Sequence, residues 1–122
     1  MNKQNVFEYA ATCELGFETM LEDCGSYRRK TTFYSDLSIA EWYGAKDVID
    51  TYRRVMKEWM NNLEYITEFV LCLNWKCWEH HGKGNVPLSK MYSELYYKAE
   101  DEVLNHYKDN KSALDYYYRI MD

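Results

Sequence analysis

Proline and glycine are scarce in this chain: one proline, Pro87, and five glycines in 122 residues. With so few breakers, long stretches run uninterrupted, which argues against a turn-rich all-β fold and for helices. Long apolar runs are missing too. None approaches the ~20 residues that cross a bilayer, and no charged-plus-apolar leader resembles a signal peptide. The expectation is a cytoplasmic protein with no membrane attachment. Its four cysteines (Cys13, Cys24, Cys72, Cys77) are then expected to be reduced.

Catalytic signatures are also lacking. There is no GxSxG, no phosphate-cradling glycine loop and no HExxH. There is no CxxC or HxxxH pair for zinc, and no Glu-x-x-His for a carboxylate-bridged di-iron bundle. These gaps point away from an enzyme and call for no cofactor. Net charge is −5, which argues against general nucleic-acid binding, since that rests on neutralising phosphates.

What the chain does have is aromatic surface: 13 tyrosines and four tryptophans, 17% aromatic in all. Such side chains bury large areas yet keep a polar tip, so they serve both a small core and an interface. An apolar fraction of 47% against 29% charged residues is that of a folded globular protein, and the length suits a single domain.

The expected architecture is all-α: one helical bundle of four to six helices around a buried central helix at about 62–81. Residues 3–24 read as an acidic helical segment, five acids (Glu8, Glu14, Glu18, Glu22, Asp23) against Lys3. Residues 26–36, SYRRKTTFYSD, alternate loosely between β-branched, aromatic and polar residues, and read as extended. The bundle proper, 38–121, opens at LSIAEW, where Ser38 and Glu41 have capping-box spacing and Leu37 and Trp42 staple spacing. Gly44 ends or kinks that helix. Val48, Ile49, Tyr52, Val55, Met56 and Trp59 then recur at helical spacing. Asn61 with Glu64 starts the central helix, whose run FVLCL is apolar around the full circumference. Pro87 suits the first turn of a helix striped by Leu88, Met91, Tyr92, Leu95, Ala99, Val103 and Tyr107. Ser112 and Asp115 start a last short helix.

Two stretches are candidates for function. LCLNWKCWEHHGKG, residues 71–84, places Cys77, His80 and His81 on one helical face, while Cys72 lies about 140° from Cys77. The triad is a candidate metal or small-ligand site, with His106 as an outside contributor. The plainer account makes both cysteines small buried groups and both histidines residues of a helix's last turn. The second candidate is an interaction surface formed by Arg28, Arg29 and Lys30, by Tyr96 and Tyr97, and by Tyr116, Tyr117 and Tyr118. Three consecutive tyrosines on a helix point in different directions, so they do not all enter one core. Stacking of the aromatics on exposed bases is a third option, which the acidic balance disfavours.

TTFYSDLSIAEWYG, DTYRRVMKEW, YITEFVLCLNWKCWEHH and KMYSELYYKAEDE together resemble small helical proteins of phages and prophages from gut bacteria, from about residue 31 to the C-terminus. That resemblance implies action in a bacterial host cytoplasm and a binding role, with no catalytic residue to carry over. The combined expectation is a non-enzymatic interaction module with a host or phage protein as partner, such as an inhibitor of a host defence protein. A virion or packaging accessory protein is the alternative within that class. A metal- or ligand-binding helical protein is the alternative outside it, and a homo-oligomer through the C-terminal tyrosines is a further one.

Overall fold

The computed structural model describes the backbone of residues 25–122 and the side chains of residues 33–122. The expected acidic segment 3–24 and the side chains of Arg28, Arg29 and Lys30 lie outside the described residues. The chain is all-α, with five helices and no strand among the described residues. They are α1 (Gly25–Tyr43), α2 (Ala45–Trp59), α3 (Leu63–Gly82), α4 (Val86–His106) and α5 (Lys111–Met121). Two compact units are distinguished, Met1–Thr51 and Tyr52–Asp122, with the boundary inside α2.

In the first unit, residues 26–36 are helical and not extended, because α1 runs unbroken from Gly25. No proline or glycine interrupts 26–43, and Phe33, Leu37 and Ala40 are buried at i, i+4, i+7 spacing. The helical period of that stripe overrides the β-leaning composition around Thr31 and Thr32, since local propensity is the weaker influence. Ser38 and Glu41 therefore lie inside α1, and their capping-box spacing marks no helix start. The real break is Gly44. Its φ of +139° is costly for any side chain, its N–H donates to the Ala40 carbonyl at 3.0 Å, and its carbonyl accepts from Asp47 and Val48.

The second unit is a helical bundle with α3 at its centre, packed against α4 and α5. Ile66 to Val70 are buried consecutively, so at 100° per residue α3 is covered on all sides there. Its burial extends to polar residues, however: Thr67, Glu68, Lys76 and His80 are all inside. Lys76 Nζ stands 3.6 Å from Glu79 Oε2, and the His80 ring lies parallel to that of Tyr92 with centroids 5.8 Å apart. From α2, the Tyr52 ring meets Phe69 of α3 at 6.2 Å.

Asparagine caps each of α3, α4 and α5. The side chains of Asn62, Asn85 and Asn110 accept from the backbone N–H three residues on, those of Tyr65, Leu88 and Ala113. The expected caps Asn61 and Ser112 are displaced by these neighbours. Asn61 instead meets His106 Nε2 through its Oδ1 at 2.9 Å, while Tyr107 Oη donates to the Met60 carbonyl at 2.7 Å. The far end of α4 thus fastens the α2–α3 turn.

Between α3 and α4 the reversal takes three residues. Asn85 N–H reaches back to the His80 carbonyl and Gly84 N–H to that of His81, a Schellman closure with Gly84 at φ +77°. Asn85 then caps α4 at once, with Pro87 in its first turn as expected. This tight reversal makes α3 and α4 an antiparallel pair.

Candidate functional site: a groove between α3 and α4

Beside the reversal, the C-terminal part of α3 and the N-terminal part of α4 form a groove of about 410 Å³. Asn74, Cys77, Trp78 and His81 line it from α3, a stripe at helical spacing. Val86, Ser89, Lys90, Ser93, Tyr96 and Tyr97 line it from α4. Its rim is apolar and open to solvent: Trp78 is 63% exposed, Val86 68% and Tyr97 62%.

The floor is fixed by polar contacts between the helices. Ser89 Oγ donates to the Cys77 carbonyl at 3.1 Å and lies 3.7 Å from Cys77 Sγ. A hydroxyl that bridges to a carbonyl one helix away sets the register of the pair, and the groove's shape with it. The walls are fixed by ring contacts. Trp78 and His81 meet edge to face at 5.6 Å, and Tyr96 and Tyr97 do so at 5.0 Å. Burial first, then the Glu100 carboxylate and the Tyr97 hydroxyl, raise the Tyr96 pKa above the ordinary phenol value, so it presents a neutral hydroxyl at physiological pH.

The groove brings together residues that the sequence assigned to two different candidate sites. Tyr96 and Tyr97, proposed for interaction, face Cys77 and His81, proposed for metal. His80 is not with them. It is buried, with its ring on Tyr92, so Cys77, His80 and His81 do not assemble as ligands. Among the described residues, no group of three or more His, Cys, Asp or Glu side chains is arranged to hold a metal ion. His106, the suggested fourth ligand, is engaged with Asn61 at the other end of α4. Nor does a hydrogen bond join Cys77 to His81 as a nucleophile and base would require; the polar neighbour of the thiol is Ser89.

The three C-terminal tyrosines separate, as their spacing requires. Tyr117 is buried, which corrects its assignment to a surface: its hydroxyl donates to Glu100 Oε2 of α4 at 2.9 Å. Tyr116 is half-buried beneath the Arg119 guanidinium, 5.4 Å from its ring, and Tyr118 is half-exposed with its edge to Tyr117.

Asn74, Val86, Ser89, Lys90 and Ser93 were not singled out from sequence. Their signal is there: 74, 78 and 81 on one helix, and 86, 89, 90, 93 and 97 on the next, recur at three- and four-residue steps. The stripes mix serine, lysine and asparagine with aromatics, so a search for apolar periodicity passes over them.

No helix among the described residues is long and apolar enough to cross a membrane. Comparison with protein-family models, with curated proteins and with solved structures finds no match.

Proposed function

We propose that this chain is a non-enzymatic interaction protein whose α3–α4 groove docks a protein partner. One observation carries the reading: three large apolar side chains, Trp78, Val86 and Tyr97, stand more than half exposed around one preformed groove. Exposed apolar side chains scattered singly are ordinary on a soluble protein, but a cluster rimming a concavity is characteristic of a binding surface. Trp and Tyr at such a rim are the residue types that contribute most to association. The fixed floor lowers the ordering cost of binding, because α3 and α4 are already in register.

The resemblance to small phage and prophage proteins supports a partner in a bacterial host cytoplasm, and an inhibitor of a host defence protein fits the absence of catalytic motifs. The test is affinity capture from such a cytoplasm with the intact chain, compared with Trp78→Ala, Tyr97→Ala and Trp42→Ala variants. A specific partner retained by Trp42→Ala and lost by both groove variants is the expected result. A partner held equally by all four proteins would place the docking face elsewhere.

A further inference from the structure

The charge in the groove differs in sign from the charge of the molecule. Across the chain, acids exceed lysines and arginines by five, yet no carboxylate lines the groove. Its one full charge is the Lys90 ammonium, beside groups that are able to donate: the Asn74 amide, the Ser93 hydroxyl, the neutral Tyr96 hydroxyl and the His81 imidazole. Lys90 is exposed and has no carboxylate partner among the described residues, whereas Lys46, Lys83 and Lys111 each hold one four residues away. Glu94, one turn along α4 from Lys90, is exposed and is not part of the lining.

The dimensions favour a short extended chain. From Val86 to Tyr97 the α4 wall rises eleven residues, ~16 Å at ~1.5 Å per residue. That is the span of about five residues of extended backbone at ~3.3 Å each. A volume of about 410 Å³ has room for a large side chain of such a segment.

We infer that the groove recognises a short acidic segment of a protein partner, with an apolar or aromatic side chain anchored between Trp78 and Tyr97 and a neighbouring carboxylate on Lys90. This rests on the groove being the docking face and specifies the chemistry of what docks there. The unpaired Lys90 supplies charge complementarity, which selects partners and sets salt dependence, while the aromatic rim supplies contact area. The acidic remainder of the molecule repels acidic chains elsewhere and so confines them to this face.

The experiment uses the full chain and three sets of labelled nine-residue peptides, each with a central Trp or Leu, flanked by glutamate, by serine or by lysine. Binding is read by fluorescence anisotropy at low salt and at about 0.5 M salt, where the Debye length is only a few ångströms. The glutamate set should bind about tenfold more tightly than the serine set, with most of that margin lost at high salt. Lys90→Glu should abolish the margin, and Lys57→Glu, the same charge change on an exposed residue of α2, should leave it intact. Trp78→Ala should weaken every set.

Equal binding of the three sets, a preference for lysine, or a margin that survives Lys90→Glu overturns the inference. If neutral or basic peptides bind and Trp78→Ala releases them, the acidic preference is wrong and the docking reading stands. If no set binds, the inference falls, and the capture experiment alone decides the docking reading.

Discussion

Two buried tyrosines in the second unit differ in one respect that has opposite consequences. Tyr117 donates to Glu100, whereas the Tyr52 hydroxyl is buried without an acceptor among the described residues. Removing a hydroxyl that has no partner relieves a desolvation penalty, while removing one that has a partner strands the acceptor. Tyr52→Phe should therefore stabilise the protein by about 1 kcal/mol, and Tyr117→Phe should destabilise it by about 1–2 kcal/mol. Denaturant titration measures both, and a loss of stability in Tyr52→Phe would mean that its hydroxyl is satisfied. Both phenols titrate well above their ordinary value. Burial is the main cause in each, followed by the Glu102 charge for Tyr52 and by the hydrogen bond to Glu100 for Tyr117. A raised pKa in the fold means that the unfolded chain gives up these protons first. Their contribution is complete below pH ~10 and declines above it by about 1.4 kcal/mol per pH unit per tyrosine. Unfolding should thus begin above pH 10, and Tyr52→Phe should move its onset upward. A stability flat between pH 10 and 11.5 would contradict this.

The helices of the second unit are delimited by the same device, an asparagine cap, and the reversal between α3 and α4 adds a glycine in left-handed conformation. Asn62→Ala, Asn85→Ala and Asn110→Ala should each cost about 1 kcal/mol. Gly84→Ala, at φ +77°, should cost a similar ~1 kcal/mol. Gly82→Ala, whose added methyl meets nothing and whose backbone is helical, should be neutral or stabilising by a few tenths. Thermal melts separate the two, and equal effects would mean that the reversal is not closed as described. At this scale much was legible in the sequence. The stripes of α2 and α4, the all-round apolar run of α3 and the punctuation at Gly44, Gly84 and Pro87 all appear in the structure. Residues 26–36 misled because β-branched and aromatic residues at 31–34 resemble a strand, although the burial of Phe33, Leu37 and Ala40 follows a helical period. Ser38 with Glu41, and Ser112 with Asp115, show that capping-box spacing inside a longer helix is only spacing. The groove was half legible: Cys77, His81, Tyr96 and Tyr97 were each marked, but nothing local says that residues twenty apart face one another until the α3–α4 reversal is known.

For the whole molecule, the proposed function rests on one packed pair of helices that bury their common face and leave an aromatic margin beside their reversal. The core and the margin are separable. Phe69, fully buried in α3, should cost about 3–5 kcal/mol when truncated to alanine, through lost burial and the cavity left behind. Trp78→Ala and Tyr97→Ala should lower stability by well under that and act on binding instead. The central claim is that a partner sits in the groove between these helices. The most direct measurement is site-specific photo-crosslinking in a bacterial cytoplasm, the proposed setting, with the reactive side chain at position 97 in one protein and at position 57, on an exposed face of α2, in another. A single adduct of defined mass from position 97, absent from position 57 and lost on Trp78→Ala, is the result the account predicts. An adduct from position 57 alone, or adducts from both positions that persist in Trp78→Ala, would contradict it.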